Sequence, residues 1–133
     1  MLTALIPARS GSQRVPNKNV RDFHGYPLIA YSIAYALSIP LISDVVVSSD
    51  SEDICQIALD YGAHKSILRP ATLSSEHSLD IEWIEHVDSV QPIENEFAVI
   101  LRPTSPLRSL TLLTDMWDCF QARECDSIRT IKL

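Results

Sequence analysis

Apolar runs of strand length recur along this chain. Leu2 to Ala8 is a compact apolar segment that ends in a proline-containing turn, which is typical of a buried strand. Three more runs, rich in β-branched or apolar residues, predict strands at Asp44 to Ser48, Lys65 to Leu68 and Phe97 to Leu101. A last strand is predicted from Ser127 to Ile131.

Between these strands the apolar residues return at helical spacing. Helices are predicted to begin at Pro27, within 49–51, near Ser78 and at Ser109. Gly62 stands where a glycine commonly ends a helix. Because strands and helices alternate about five times, the chain is predicted to be a single α/β domain over residues 1–133. Its sheet is expected to be mostly parallel, with helices on both faces.

Polar loops follow three of the predicted strands, at Arg9 to Arg21, Ser48 to Ser51 and Arg102 to Arg108. Ligands of open parallel sheets bind beyond the carboxyl ends of the strands. We therefore expect these three loops to border one crevice.

Composition excludes several other classes of protein. The 133 residues suffice for one core, and the formal net charge of −6 argues against sequence-independent binding of nucleic acid. No apolar stretch approaches the roughly 20 residues that span a bilayer. Cys55, Cys119 and Cys125 match no zinc module, and an odd number of thiols indicates a cytoplasmic protein without a disulfide framework.

The first loop concentrates positive charge. Residues 9–21, called the basic loop below, contain Arg9, Arg14, Lys18 and Arg21 and no acidic residue. Such a loop at a strand end of an acidic chain predicts an anion site, and four cations favour a polyphosphate. The loop lacks the GxxxxGK[ST] pattern and has only Gly11, so side chains must bind the anion. The alternative is a solvated basic loop with no ligand.

Five segments, in this order, resemble the acylneuraminate cytidylyltransferase family: IPARSGSQRVPNKN, GYPLIAYSI, VVVSSD, LRP and LRPTSPLR, spread over residues 6–108. The resemblance implies a Rossmann-like nucleotidyltransferase fold. It also implies transfer of CMP from CTP to a nine-carbon 2-keto sugar acid of the sialic, legionaminic or pseudaminic type, with release of pyrophosphate, for surface-glycan synthesis in the cytoplasm. Two alternatives stay open: a non-catalytic nucleotide-binding fragment, and an enzyme for a 3-deoxy-octulosonate sugar.

The resemblance also implies roles for individual residues. Arg9 and Lys18 are expected to be catalytic, and the nucleotide is expected to contact Ser10, Gly11, Ser12, Arg14, Asn19 and Arg69. The sugar acid is expected to contact Arg102, Thr104, Ser105 and Arg108.

Two of the motif residues carry open alternatives. Arg102 stands where many sialate-activating members have Gln, so it could bind a substrate carboxylate or pair with an acid of the protein. For Asp50 a helix cap is preferred over a metal ligand or a base.

The family also implies parts that these residues do not contain. Its Mg²⁺ ligands come later in the chain, after a dimerisation segment, so we expect the ligands of Mg²⁺ beyond residue 133. The chain is accordingly expected to be the N-terminal, apparently truncated portion of an enzyme that is a homodimer in its full-length form. This portion alone is expected to be inactive. CTP and the sugar acid are the expected partners, whereas nucleic acid and membrane are not.

Overall fold

The computed structural model describes residues 1–131, which form a four-stranded parallel sheet. The strands are β1 (Leu2–Pro7), β4 (Ile42–Ser49), β5 (Lys65–Leu68) and β6 (Phe97–Ile100), in the spatial order β5–β4–β1–β6. A short antiparallel hairpin of β2 (Asp22–Phe23) and β3 (Tyr26–Pro27) lies apart from this sheet. The helices are α1 (Leu28–Ser38), α2 (Glu52–Asp60), α3 (Asp80–Val90) and α4 (Leu112–Gln121). The predicted mostly parallel α/β architecture is therefore confirmed.

Side chains of each central strand point alternately to two separate cores. Ala4 and Ile6 of β1 face the core that includes α1, α2 and α4. Leu5 between them faces the second core, which α3 closes with Trp83 and Val87. This two-residue period along buried strands requires helices on both faces of the sheet, as the sequence predicts.

The ends of α2 follow from local chemistry. The Ser51 hydroxyl accepts a hydrogen bond from the Ile54 N–H at 3.4 Å and begins the helix. Gly62 ends it with φ of +97°, a conformation that costs a residue with a Cβ atom about 1–2 kcal/mol. The strand β4 is thereby joined to β5 by a helix of fixed length, which places the carboxyl ends of both strands at one edge.

Two predicted elements differ from the structure. Residues 127–131 are exposed and form no strand. Arg129 and Thr130 separate Ile128 from Ile131, so this segment lacks the continuous apolar run of a buried parallel strand. Ser109 is not the cap of α4, because the helix begins only after Thr111. None of the helices in residues 1–131 has the length and apolar character needed to cross a membrane.

Candidate functional site

A cleft of about 450 Å³ opens at the carboxyl ends of β1, β5 and β6. The basic loop contributes Arg9, Ser12, Lys18 and Asn19 to its wall, and the segment after β6 contributes Arg102, Pro103 and Thr104. The opposite wall is the segment between β5 and α3, from Arg69 through Ser74–Glu76 to Asp80 and Trp83. Four cations and two carboxylates, those of Glu76 and Asp80, therefore surround one opening, which suits a ligand with several negative charges.

The predicted crevice needs one correction. The basic loop and the turn after β6 do border it, but residues 48–51 do not line it. Their place is taken by the segment that follows β5, and Asp50 lies behind the basic loop instead. The reason is that Ser10 of the basic loop binds Asp50, directly after β4, so the basic loop crosses in front of the end of this strand.

Asp50 is a partner of the basic loop and not a helix cap. Its Oδ1 accepts a hydrogen bond from the Ser10 N–H at 2.8 Å, and its Oδ2 accepts one from the Ser10 hydroxyl at 2.9 Å. The cap of α2 is the next residue, Ser51. The preferred sequence interpretation of Asp50 was therefore wrong, because a neighbouring serine satisfies the helix end and leaves the carboxylate for the loop.

Asn19 holds the same loop from its other end. The buried side chain of Asn19 donates from Nδ2 to the carbonyl oxygen of Arg9 at 2.9 Å. The Ser12 N–H donates to the Ser10 carbonyl at 3.0 Å, which tightens the turn between them. These bonds leave the side chains of Arg9 and Lys18 at the cleft, and neither makes an ion pair within residues 1–131.

Arg69 is the most deeply buried cation of the cleft, with 5% of its surface exposed. Its Nε donates to the Ser74 hydroxyl at 2.8 Å, and its guanidinium carbon lies 5.7 Å from the ring centre of Trp83. Its Nη1 is buried and has no hydrogen-bond partner among the described residues. Burial lowers the pKa of Arg69, and the negative charge of Asp50 acts in the opposite direction. A buried donor without a partner is costly, so this atom is well suited to bind a ligand.

An ion pair that the sequence left open joins the two walls of the cleft. Arg102, from the segment after β6, forms an ion pair with Asp80, the first residue of α3, and the second carboxylate oxygen of Asp80 accepts a hydrogen bond from the Trp83 indole at 3.0 Å. Burial alone would raise the pKa of Asp80. The hydrogen bonds from Trp83 and Arg102, with the charges of Arg102 and Arg69, outweigh that effect and lower it. Arg102 therefore reaches the cleft as half of an ion pair.

Arg108 lies outside the cleft lining and anchors the turn after β6 to α1. Its guanidinium donates to the Ser32 hydroxyl at 3.0 Å and to the Arg102 carbonyl, and it lies 5.6 Å from the ring centre of Tyr35. Burial lowers its pKa. Arg108 thus fixes the direction of the chain at Arg102 from behind.

Of the remaining predicted site residues, some line the cleft and others do not. Thr104 lines the cleft, whereas Ser105 does not. Gly11 lines a shallower recess beside the cleft, together with Arg9 and Ser12. Arg14 is exposed and lines neither opening.

Sequence reasoning missed most residues of the wall between β5 and α3, among them Ser74 and Asp80. Asp80 is the first residue of α3, directly after the loop that follows Arg69. Its position soon after a predicted strand end could therefore have marked it as a candidate site residue. Ser74 carried none, because one serine in a serine-rich loop is not distinctive. Within residues 1–131 no three His, Cys, Asp or Glu side chains come close enough to hold a metal ion.

Comparison with known families and proteins gives a consistent set of relatives. The family model described as "Cytidylyltransferase" matches residues 3–130. A pseudaminic acid cytidylyltransferase of Campylobacter jejuni subsp. jejuni serotype O:23/36 is 36% identical over 119 residues, which are 87% of this chain and 51% of that protein. A CMP-N,N'-diacetyllegionaminic acid synthase of Legionella pneumophila subsp. pneumophila is 40% identical over 110 residues, 80% of this chain and 47% of that protein.

A solved structure shares the fold. The structure of a CMP:2-keto-3-deoxy-manno-octonic acid synthetase complexed with CTP superimposes with a TM-score of 0.77 at 22% identity, covering 92% of this chain and 48% of that one. At this identity the likeness concerns the fold alone. The chain spans about half the length of the curated relatives it matches.

Proposed function

Because this chain belongs to the cytidylyltransferase family, we propose that it is the nucleotide-binding part of an enzyme that activates a nonulosonic acid with CTP. The carrying observation is one cleft at the carboxyl ends of the strands, surrounded by four cations, of which Arg69 has a buried donor without a partner. Its relatives are named for pseudaminic and legionaminic acids, which supports a nine-carbon 2-keto acid as the sugar.

In the proposed reaction a hydroxyl of the sugar acid attacks the α-phosphorus of CTP. The bond from that phosphorus to the bridging oxygen breaks, pyrophosphate leaves with the electron pair, and the hydroxyl proton passes to solvent. Arg9 and Lys18 bind the phosphates that become pyrophosphate, and their attraction grows as the negative charge of the leaving group grows. Cations placed in this way lower the barrier more than they stabilise the bound substrate.

The two walls of the cleft are proposed to receive different parts of the substrates. Arg69 offers its unpaired Nη1 to the carbonyl edge of the pyrimidine, with its guanidinium carbon 5.7 Å from the ring centre of Trp83. Arg102 and Thr104 line the cleft from the segment after β6, where we propose that the sugar acid binds. The carboxylate of the sugar acid would compete with Asp80 for Arg102.

Further parts of the proposal concern the whole protein. We propose that Mg²⁺ accompanies the triphosphate, with protein ligands outside residues 1–133. A second copy of the full-length chain is the proposed partner. A reducing compartment such as the cytoplasm is supported by the unbonded thiols of Cys55, Cys119 and Cys125.

Calorimetric titration of this chain with CTP tests the nucleotide site directly. CTP is expected to bind, UTP and GTP more weakly, and Arg9→Ala to lose about tenfold in affinity, because a charge-assisted hydrogen bond contributes about 1.5–3 kcal/mol. Arg123→Ala is the matched control, since this arginine is exposed and outside the cleft. An unchanged affinity in Arg9→Ala refutes the assignment of Arg9.

Catalysis is tested on the whole protein by pyrophosphate release from CTP with pseudaminic, legionaminic and sialic acids in turn. CTP binding without release for any nonulosonic acid would limit the function to nucleotide binding. Release only with a 3-deoxy-octulosonic acid would replace the proposed sugar.

A further inference from the structure

The peptide unit between Arg9 and Ser10 is held at both of its polar atoms. Its carbonyl oxygen accepts from Asn19 at 2.9 Å, and its N–H donates to Asp50 at 2.8 Å. Asn19 follows Arg9 by 10 residues, and Asp50 follows Ser10 by 40 residues. A backbone peptide with both atoms fixed by side chains cannot rotate without losing two hydrogen bonds.

Asp50 lies where it can hold the Arg9–Ser10 peptide, and it does not contact the cleft. It follows directly after β4, whose strand pairs with β1 in register through Pro7 and Ser48. Its two carboxylate oxygens are used by the N–H and hydroxyl of Ser10. It does not line the cleft, so it is not itself a ligand-binding group.

We propose that Asp50 is a positioning residue that orients Arg9 toward the phosphates of the nucleotide by fixing the Arg9–Ser10 peptide from behind the basic loop. The inference rests on the proposed function, since it assigns a role within the same nucleotide site. A glycine-rich phosphate loop aims backbone N–H groups at its ligand, whereas here the Ser10 N–H is turned away to a carboxylate. The basic loop therefore binds through side chains, and their direction depends on this peptide.

The negative charge of Asp50 and its proposed positioning role predict opposite effects on phosphate binding, which makes the proposal testable. The carboxylate of Asp50 is a negative charge near an anion site, and its field reaches Arg69. If Asp50 acted only through its charge, removing it would strengthen the binding of phosphates. If it positions Arg9, removing it weakens their binding.

The experiment measures the affinity of the chain for CTP and for inorganic tripolyphosphate by calorimetry. In Asp50→Ala both affinities are expected to fall about tenfold, the equivalent of one charge-assisted hydrogen bond. The matched control is Ser51→Ala, which removes the adjacent cap of α2 and costs stability at the same strand end without touching the basic loop. Its affinities are expected to stay within about twofold of the wild type.

Unchanged or tighter binding in a folded Asp50→Ala variant overturns the proposal, as does an equal loss in Ser51→Ala. If Asp50→Ala does not fold, Asp50→Asn replaces it. Asp50→Asn removes the charge and keeps one acceptor, and weaker tripolyphosphate binding supports positioning whereas unchanged or tighter binding overturns it. Failure of the wild-type chain to bind CTP or tripolyphosphate would instead refute the proposed function.

Discussion

Replacing Arg69 with methionine is expected to separate binding from stability. The side chain is almost fully buried, and its guanidinium has one hydrogen bond, to Ser74, and one aromatic contact, with Trp83. Its Nη1 is buried with no partner within residues 1–131. Methionine fills much of the same volume with an apolar chain, so the substitution removes the charge without leaving a large cavity.

The stability terms partly offset one another. Arg69→Met loses one hydrogen bond from a charged donor, about 1.5–3 kcal/mol, and a desolvated cation–π contact, about 1–2 kcal/mol. It also removes a buried charged donor without a partner, which costs the folded state about 1–3 kcal/mol. The free energy of unfolding of Arg69→Met is therefore expected to fall by no more than about 4 kcal/mol. The affinity for CTP is expected to fall about ten- to a hundredfold, because the bond proposed between the ligand and Arg69 is charge-assisted.

Urea denaturation and calorimetric titration with CTP, performed on the same samples, measure both quantities. Arg123→Met is the control, since it makes the same change of charge at an exposed position outside the cleft. A CTP affinity of Arg69→Met within about threefold of the wild type would show that the unpaired donor is not a ligand-binding group. A loss of stability above about 4 kcal/mol would show that the side chain is mainly structural.

Three further changes have distinct expected results. Arg102→Gln is expected to raise the KM for the sugar acid in the whole protein while leaving the affinity for CTP within about threefold, as measured by steady-state kinetics and calorimetry; an equal loss for both substrates contradicts this. The lowered pKa of Asp80 means that its carboxylate stabilises the fold above its unfolded pKa of about 3.9 and that this contribution disappears as the pH falls through the folded value. The difference in unfolding free energy between wild type and Asp80→Asn should therefore shrink on urea denaturation from about pH 7 to about pH 3, and a constant difference refutes it. Gly62→Ala is expected to destabilise the fold by about 1–2 kcal/mol, because φ is +97° and the new Cβ would meet Leu37 Cδ1 at 3.0 Å, whereas Gly11→Ala, with open space around it, should be near neutral in the same assay.

The fold could be predicted because its signals are local and repeated. β1, β4, β5 and β6 each fall within two residues of their predicted bounds, since a buried parallel strand is a continuous apolar run. The predicted strand at residues 127–131 is wrong because Arg129 and Thr130 interrupt its apolar residues, so the continuous apolar run of the other strands is missing. Contacts between loops, in contrast, are not local. The sequence could not show that the basic loop binds Asp50 and covers the end of β4, and so it placed residues 48–51 at the cleft.

The site residues divide in a similar way. Arg9, Lys18 and Arg102 were predicted from the family resemblance, in loops at strand ends, and all three line the cleft. Neither the bond of Asp50 to Ser10, beside Arg9, nor the pairing of Asp80 with Arg102 was identifiable, because both contacts form only through the tertiary fold. A carboxylate after a strand or at a helix start is adequately explained as a helix cap. From the sequence alone, a contact with a distant residue is therefore not suspected.

The cations of the cleft differ in how they are balanced. Arg9 and Lys18 make no ion pair within residues 1–131, and the carboxylate of Asp50 binds Ser10 of the basic loop. Their charge is therefore available in full to a polyphosphate. The several negative charges of such a ligand would offset the repulsion between the two cations. Arg102 is neutralised by Asp80, so a ligand gains there only if it offers a better acceptor than a carboxylate already held by Trp83. For the proposed function, the carboxylate of the sugar acid would have to displace Asp80 from Arg102, whereas the triphosphate would meet cations that form no ion pair within residues 1–131.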